Sequence, residues 1–403
     1  MTEVLPFYGN THTVDSQVGL RTSEVVKQAN HYVKRCMGAG PRDVLLFCGS
    51  GTTAAIKRLQ EPSERWVVFL GPYEHHSNLL SWRQSLADVV PIGLDGSGNL
   101  DLAALAAALR SPEFAGRPKL GSFSACSNVT GVYTDIRAVA RLLHSHGAYA
   151  CFDFAYEIGG IGRLRRRLPQ PAQVPGRPRQ PGVLLMSDAL YRLKGRPPST
   201  SGGGTVLYVN GYDEEETLYC EDLEEREDAG TPPIVQKFRA ALAFAVKSFA
   251  GHALIRDREA ALARRAMARL AANARIRVLG NLSGDRQPIF SFIVYPGGAG
   301  GKHLHCHFAT RLLNDLFGIQ ARGGCACASP YGHLLLGICR EQSLAFRIRG
   351  LKPGFTRVSF AYYTAEEEME FVVDAVEFVA DYGHRFLPCT TSTGRPARGA
   401  QRR

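Results

Sequence analysis

The stretch from residue 44 to residue 53 reads VLLFCGSGTT. Its apolar start predicts a short buried strand, and its two glycines predict a tight turn after that strand. Thr52 and Thr53 then open an amphipathic stretch, which predicts a helix over 53–59. A helix that starts directly after a strand points free backbone amides at the turn, and these amides favour an anion such as a phosphate. A plain glycine-rich turn with a threonine cap is an equally good interpretation of these residues alone.

The alternation of strand and helix continues to about residue 250. Further strands are predicted at 66–70, 120–124, 148–152, 183–186 and 205–209, and helices at 102–110, 135–144, 233–249 and 252–274. This order is typical of a mostly parallel sheet flanked by helices. After residue 275 the strands predicted at 289–295 and 356–363 and the helices predicted at 303–317 and 366–382 indicate a smaller α+β unit.

These patterns predict an α/β protein with a large domain and a smaller C-terminal one. We place the N-terminal segment at 1–40, the large domain at 41–250, the small domain at 251–389 and a disordered basic tail at 390–403. A basic, proline-rich insert at 163–182 interrupts the large domain.

The net charge of +11 lies mainly in the insert and the tail. The insert holds six arginines and no acid, and the tail holds four arginines and no acid, so the rest of the chain is close to neutral. We therefore expect no nucleic-acid partner. There is no run of 18 apolar residues and no basic-then-apolar start, so we expect neither a membrane span nor a secretory signal. Ten scattered cysteines point to a reducing compartment, the cytoplasm.

Polar and titratable residues follow the predicted strands, where ligands of open α/β sheets bind. They are Gly49–Thr53, Glu74–His76, Ser127–Gly131, Asp153 and Ser187–Asp188. Read alone, Asp153 is best explained as a helix cap. Beside a phosphate cradle and a histidine, the same carboxylate suits a protonated pyridine nitrogen, which is a feature of pyridoxal phosphate sites.

Five ordered segments resemble the class V aminotransferase and cysteine desulfurase family. They are YGNTHT at 8–13, EHHSNLLSWR at 74–83, SNVTG at 127–131, the strand that ends at Asp153, and RGGCACA at 322–328. The resemblance runs from about residue 7 to about residue 380. It implies a fold type I pyridoxal-phosphate enzyme, a homodimer with its sites near the subunit interface.

The resemblance also implies roles for individual residues. Thr52 and Thr53 would hold the cofactor phosphate, His75 would stack on the pyridine ring, and Asp153 would pair with the ring nitrogen. Tyr156 stands where relatives often have a glutamine that contacts the phenolic oxygen. Asn128 would lie beside cofactor and substrate, and Arg357 would grip the substrate carboxylate.

The lysine that would hold the cofactor covalently departs from the family pattern. Ser187-Asp188-Ala189 matches the usual lead-in, but no histidine precedes Lys194, and an ungapped count places Arg196 at the lysine position. Lys194 is nevertheless the only lysine between Lys119 and Lys237, so we assign it this role. The insert lengthens the separation of Asp153 from this lysine, and the segment before residue 8 is short compared with the family.

Cys327 aligns with the sulfur-accepting cysteine of the family, on a loop whose two glycines predict flexibility. The resemblance thus favours a cysteine desulfurase that converts cysteine to alanine and leaves a persulfide, with a sulfur-acceptor protein as a further partner. An aminotransferase, lyase or epimerase acting on another amino acid is an alternative. A catalytically degenerate paralogue that acts as a scaffold is another. His303, His305 and His307 begin a helix that spreads them over different faces, so we expect no metal site.

Overall fold

The computed structural model describes residues 5–11, 15–60, 65–155, 170–172, 181–213, 216–298, 301–348 and 352–389. Tyr156, the tail at 390–403 and most of the insert at 163–182 lie outside the described residues. The first elements are α1 (Gln17–Cys36), β1 (Asp43–Ser50), α2 (Gly51–Gln60), β2 (Val67–Leu70), α3 (His76–Arg83), β3 (Asp88–Pro91), α4 (Leu102–Leu109), β4 (Lys119–Ser124), α5 (Ile136–Ser145) and β5 (Tyr149–Asp153).

Four of these strands form a parallel sheet in the order β3-β2-β4-β5. The strand β2 is buried on both sides, because Val67 and Phe69 enter the core on one face of the sheet while Val68 and Leu70 enter the core on the other. Such near-continuous apolar runs are characteristic of parallel strands covered by helices. Asp135 caps α5 by accepting from the backbone amides of the first turn, as the sequence predicts.

The next two strands are β6 (Gln170–Ala172) and β7 (Pro181–Ser187), and β7 is antiparallel to β1. The register pairs Asp43 with Ser187 and Ser50 with Pro181, so β7 starts where β1 ends. The prediction that the strand at 183–186 joins the parallel set is therefore wrong. The short connection of eight residues, 173–180, makes β6 and β7 antiparallel to each other, since a parallel return needs a crossover of about a dozen residues or more. The direction of β7 relative to β1 shows only in the register of that pair.

A hairpin and three helices lead to the C-terminal part. They are β8 (Val206–Val209), β9 (Thr217–Tyr219), α6 (Leu223–Arg226), α7 (Ile234–Ala250) and α8 (His252–Ala272). Within the described ranges no single helix has the length and apolar character to span a membrane. Only the pair α7 and α8, taken together, has that length and apolar character, and the two helices are bent by 79° relative to each other.

The C-terminal part has its own antiparallel sheet, in the order β10-β11-β13-β12. Its elements are β10 (Ile276–Val278), β11 (Ile289–Val294), α9 (Cys306–Phe317), β12 (Arg322–Gly324), α10 (Ser329–Leu336), α11 (Arg340–Ile348), β13 (Phe355–Ser359) and α12 (Glu366–Tyr382). One face of this sheet packs with α8, α9 and α12 into a core of its own. Arg269 of α8 pairs with Glu370 and Asp374 of α12 across the surface of that core.

The two parts of the chain meet through a separate apolar cluster that includes Tyr73, Val129, Ala326, Tyr331 and Phe355. This cluster holds the turn after β12 against the carboxyl edge of the parallel sheet. The α/β architecture with a smaller α+β part is confirmed, whereas the exact domain boundaries remain a prediction.

Candidate functional site

The turn between β1 and α2 has the features of an anion cradle. Gly51 adopts a positive φ of 63°, and Thr52 follows it inside the first turn of α2, where backbone amides lack helical partners. The Thr52 side chain is buried, and its Oγ1 has no hydrogen-bond partner among the described residues. Gly182 of β7 packs so closely on the Gly51 carbonyl that a Cβ would have no room. A phosphate oxygen would suit this hydroxyl and these amides.

His75 lies next to the cradle, at the start of α3. Its Nδ1 accepts from the Ser77 amide at 3.1 Å and lies 3.0 Å from the Ser77 hydroxyl, which is 2.6 Å from Thr53 Oγ1. Burial lowers the pKa of His75, and the charges of His76 and Arg322 lower it further. The ring is therefore neutral at neutral pH, with its proton on Nε2 because Nδ1 accepts from an amide. A flat neutral imidazole in a fixed position suits stacking on an aromatic ring.

Asp153 is the last residue of β5, directly opposite Ser124 in the register of β4 and β5. Its Oδ1 accepts from the Ala155 amide at 2.8 Å, and the side chain is buried. Burial raises the pKa of Asp153 to about 7, and the nearby Glu74 carboxylate contributes to the rise. A cation placed against this carboxyl group would stabilise the carboxylate and lower its pKa again. A protonated ring nitrogen is such a cation.

Glu74 and Asn78 form a buried polar network behind the site. Glu74 accepts from the Ser124 amide at 2.9 Å, from its hydroxyl at 2.7 Å and from Asn78 Nδ2 at 2.7 Å. Asn78 Oδ1 accepts from Trp82 Nε1 at 3.0 Å and from the Ser122 hydroxyl at 2.7 Å. The network ties α3 to β4 and so fixes His75 relative to the sheet. The sequence shows both residues inside the 74–83 motif, but their positioning role appears only in the structure.

Asn128 and Arg357 meet at the contact between the two parts of the chain. Arg357 Nη1 donates to the Asn128 carbonyl at 2.6 Å, and Asn128 Nδ2 donates to the Ala326 carbonyl at 2.6 Å. Asn128 is buried, and its Oδ1 lacks a partner among the described residues. The structure thus brings together two residues that lie 229 positions apart in the chain.

Cys327 lies in a tight turn against α3. The His76 amide donates to the Cys327 carbonyl at 2.7 Å, and Arg322 Nη2 donates to Cys327 Sγ at 3.3 Å. The turn has positive φ at Ala326 (49°) and at Cys327 (58°), a strained backbone for residues with a Cβ. Strain of this kind persists where the surrounding contacts hold it, and here it fixes the thiol beside Arg322.

The segment before this turn is not the loop that its glycines suggested. Arg322 to Gly324 form β12, which pairs with β13 in a register that places Arg322 opposite Arg357. A Cβ at Gly323 would lie 2.8 Å from His307 Nδ1 and 2.9 Å from Thr310 Oγ1. The glycine therefore permits close packing of β12 on α9.

Lys194 lies away from the residues described above. It follows β7, whose last residue, Ser187, lies opposite Asp43 at the amino end of β1. Its Nζ is 4.0 Å from Asp188, which also pairs with Arg42 just before β1. The structure does not bring Lys194 or Ser187-Asp188 to the edge where Asp153 lies, and this position speaks against Lys194 as the cofactor lysine. The reversed direction of β7 puts these residues near the amino end of β1, whereas Thr52 follows the carboxyl end of β1.

The histidines near residue 305 serve α9. His305 is the N-cap residue of α9 and accepts from the His307 amide at 3.3 Å. In the part of the chain that the structure describes, there is no group of three or more His, Cys, Asp or Glu side chains placed to hold a metal ion.

Comparison with known proteins agrees with this arrangement. A family model described as Aminotransferase class-V matches residues 1–162 and 181–372, which leaves out most of the basic insert. A probable cysteine desulfurase of Halobacterium salinarum is 26% identical over 397 residues, covering 92% of this chain and 85% of the relative. Another, of Vibrio cholerae, is 27% identical over 394 residues, covering 92% and 87%.

Solved structures show the same fold. An apo cysteine desulfurase from Thermococcus onnurineus NA1 superposes with a TM-score of 0.76 at 24% identity, covering 94% of this chain and 90% of that one. The cysteine desulfurase CsdA of Escherichia coli gives a TM-score of 0.71 at 21% identity, with coverage of 93% and 89%. The match over most of the length confirms the predicted family and fold. The chain belongs to the class-V aminotransferase family, is cysteine desulfurase-like in sequence and has the fold of type I pyridoxal-phosphate enzymes.

Proposed function

We propose that this chain binds pyridoxal phosphate at the carboxyl edge of its parallel sheet and takes sulfur from free cysteine at Cys327. One observation carries the proposal: the Cys327 thiol is held 3.3 Å from Arg322 Nη2 in a turn whose backbone bonds to His76. The Cys327 turn therefore lies against the start of α3, the helix that His75 caps.

Class-V aminotransferases and cysteine desulfurases depend in general on pyridoxal phosphate. The residues at the sheet edge fit its phosphate and its ring. Thr52 Oγ1 is buried without a partner among the described residues, His75 offers a neutral ring, and Asp153 offers a buried carboxyl group. When bound, the cofactor supplies an electron sink for bonds at the substrate Cα. The fit does not extend to a covalent lysine, because Lys194 lies near the amino end of β1.

The chain's own residues would bind and orient the substrate. Asn128 and Arg357 lie together on the side of the pocket formed by the C-terminal part, and a guanidinium is suited to a substrate carboxylate. His75 holds its ring proton on Nε2 and keeps its Nδ1 engaged with Ser77. Cys327 would accept the sulfur as a persulfide while cysteine is converted to alanine. These roles agree with the spacing of the family motifs and with the contacts on either side of the pocket.

A second candidate function rests on Lys194. Its place near the amino end of β1, 4.0 Å from Asp188, favours a catalytically degenerate member of the family that binds the cofactor and serves as a scaffold. In that case Thr52, His75 and Asp153 would bind pyridoxal phosphate without turnover. An aminotransferase, lyase or epimerase on another amino acid would use the same residues and leave Cys327 without a role.

We further propose that the chain forms a homodimer, passes sulfur to an acceptor protein and resides in the cytoplasm. Three apolar side chains of α7, Leu242, Val246 and Phe249, are exposed on one helix and suit a second copy of the chain. Cys36, Cys151, Cys220, Cys306 and Cys339 form no disulfide, which suits a reducing compartment.

The decisive experiment combines cofactor binding with product analysis. Purified protein is titrated with pyridoxal phosphate by absorbance and then given cysteine, with alanine and sulfide measured separately. Desulfurase activity gives alanine and sulfur in equal amounts, and Cys327→Ser abolishes both while it keeps the bound cofactor. Binding without products supports the scaffold. Products from another amino acid, with full activity in Cys327→Ser, support the aminotransferase or lyase alternative. Failure to take up the cofactor contradicts the proposal.

A further inference from the structure

Cys325 and Cys327 lie in one tight turn. The Ala328 amide donates to the Cys325 carbonyl at 3.0 Å and closes the turn. The two central residues of this turn, Ala326 and Cys327, both have positive φ. Consecutive Cα atoms joined through such a turn place the two cysteine Cα atoms roughly 5 to 6 Å apart, a separation that disulfides span. The backbone therefore keeps two thiols within reach of one another.

The two thiols have different surroundings. Cys327 Sγ accepts from the guanidinium of Arg322 at 3.3 Å. Cys325 Sγ points the other way and donates to the Pro353 carbonyl at 2.8 Å. Burial raises the pKa of Cys325, so this thiol is protonated at neutral pH. The Cys325 thiol also forms a hydrogen bond with the Ser329 side chain. Rotation about χ1 would exchange its contact with the Pro353 carbonyl for an approach to Cys327 within the turn.

We propose that Cys325 is a resolving thiol that discharges a persulfide formed on Cys327. This inference rests on the proposed function, because it needs sulfur on Cys327. The Cys325 sulfur attacks Cys327 Sγ, the bond between Sγ and the outer sulfur breaks, and a Cys325–Cys327 disulfide forms. The electron pair of the broken bond leaves with the outer sulfur, which takes the Cys325 proton and departs as hydrogen sulfide. A low-molecular-weight thiol then restores both cysteines and is itself oxidised to a disulfide.

This step changes what the site delivers. A persulfide on a lone cysteine persists until an external acceptor binds. Here the turn holds a second thiol next to the persulfide at a high effective concentration, so sulfide is released without an acceptor. Without a reductant each chain would release one sulfide and stop in the disulfide form. The disulfide would also draw Cys327 Sγ away from Arg322, so the thiol redox state would control further turnover.

The test uses the full chain in a Cys339→Ser background, because the exposed Cys339 lies on the same tryptic fragment, 323–340. The protein is reduced, and the reductant is removed without oxygen. One sample then receives pyridoxal phosphate and cysteine, and a second receives sodium disulfide, an inorganic polysulfide that sulfurates thiols without a cofactor. Released sulfide and the mass of the fragment are followed with time, with Cys325→Ser as the matched variant.

The proposal predicts a fragment lighter by two hydrogen atoms in the polysulfide sample, with two sulfides released per disulfide. One sulfide leaves when polysulfide sulfurates Cys327, and the second leaves when Cys325 displaces the outer sulfur. In Cys325→Ser the fragment should instead stay heavier by one sulfur atom, and its decay should be about 10-fold slower or more. A parent fragment that keeps its extra sulfur as long as the variant does, or that stays fully reduced, overturns the resolving role. If polysulfide produces the disulfide but cysteine supplies no sulfur to the protein, the desulfurase proposal alone is overturned. Sulfur from cysteine that persists on Cys327 overturns the resolving thiol alone.

Discussion

Ser187 lies opposite Asp43 in the antiparallel register of β7 and β1. This pairing brings the end of β7 to the amino end of β1 in the three-stranded sheet β1-β7-β6, while Asp153 ends β5 at the carboxyl edge of the parallel sheet. The residues that follow Ser187 therefore emerge on the side of the sheet away from His75 and Thr52. Lys194, which chain order offers as the cofactor lysine, pairs with Asp188 on that side.

Lys194→Met should leave the binding of pyridoxal phosphate within about 2-fold of the parent chain, since a residue outside the pocket contributes little to ligand affinity. Borohydride treatment of the protein with added cofactor, followed by peptide mapping, should find no pyridoxyl group on Lys194. Asp153→Asn serves as the control that does weaken binding. A pyridoxyl group on Lys194 would show that β7 takes the parallel direction in the loaded protein.

Asp153→Asn should change how stability depends on pH. Burial raises the pKa of this carboxyl group from 3.8 to about 7, so between these pH values the folded chain binds more protons than the unfolded chain. The free energy of unfolding due to this group therefore falls as pH rises through that window, by roughly 4 kcal/mol in total.

The measurement is urea unfolding of the parent chain and of Asp153→Asn at a series of pH values. The stability of the variant relative to the parent should rise from pH about 4 to pH about 7, since the neutral amide keeps the acceptor for the Ala155 amide and does not ionise. A difference that does not vary with pH would mean that Asp153 is ionised throughout.

Thr52→Val should have opposite effects on stability and on binding. The buried Oγ1 has no partner among the described residues, so replacing it by a methyl group should stabilise the free chain by roughly 1 kcal/mol. The same change should weaken inorganic phosphate and pyridoxal phosphate by about 10-fold, since a hydrogen bond to a charged group is lost.

Thr53→Val is the matched control for this prediction, because Thr53 Oγ1 already contacts the Ser77 hydroxyl at 2.6 Å. It should destabilise the free chain by about 1 kcal/mol. Thermal unfolding measures the stability of the free chain, and calorimetric titration measures the affinity for inorganic phosphate and pyridoxal phosphate. Unchanged phosphate binding in Thr52→Val would show that this hydroxyl does not bind the phosphate.

Cys327→Ser should reduce alanine formation from cysteine on the order of 100-fold or more, because it removes the sulfur-accepting nucleophile while leaving the binding residues in place. The absorbance of bound cofactor should be unchanged. Cys339→Ser, at an exposed site, is the control and should keep parental activity. Cys325→Ser should retain most alanine formation when a thiol reductant is present. Full activity of Cys327→Ser would assign the chain to another reaction of the family.

Much of the fold and site follows from local patterns in the sequence. The apolar run before Gly49 and the amphipathic stretch after Thr53 specify strand, turn and helix, because hydrophobic periodicity and glycine conformations act within a few residues. The same applies to the strands that end at Ser124 and Asp153, whose parallel pairing brings their polar ends to one edge. Ordered motifs over most of the chain identified the family. The helix α1 was missed: no element was predicted over 1–40.

Tertiary structure decided the points where a residue's role depends on distant partners. The direction of β7 follows from its pairing with β1, and this pairing is not visible in the composition of 163–182. The segment around Gly323 became a strand because β13 supplies hydrogen-bond partners and α9 leaves no room for a side chain. Glu74 acquired its positioning role because three donors converge on it in a buried space. Sequence patterns record local preference, whereas strand direction and buried polar contacts are set by which distant segments can satisfy each other's hydrogen bonds away from water.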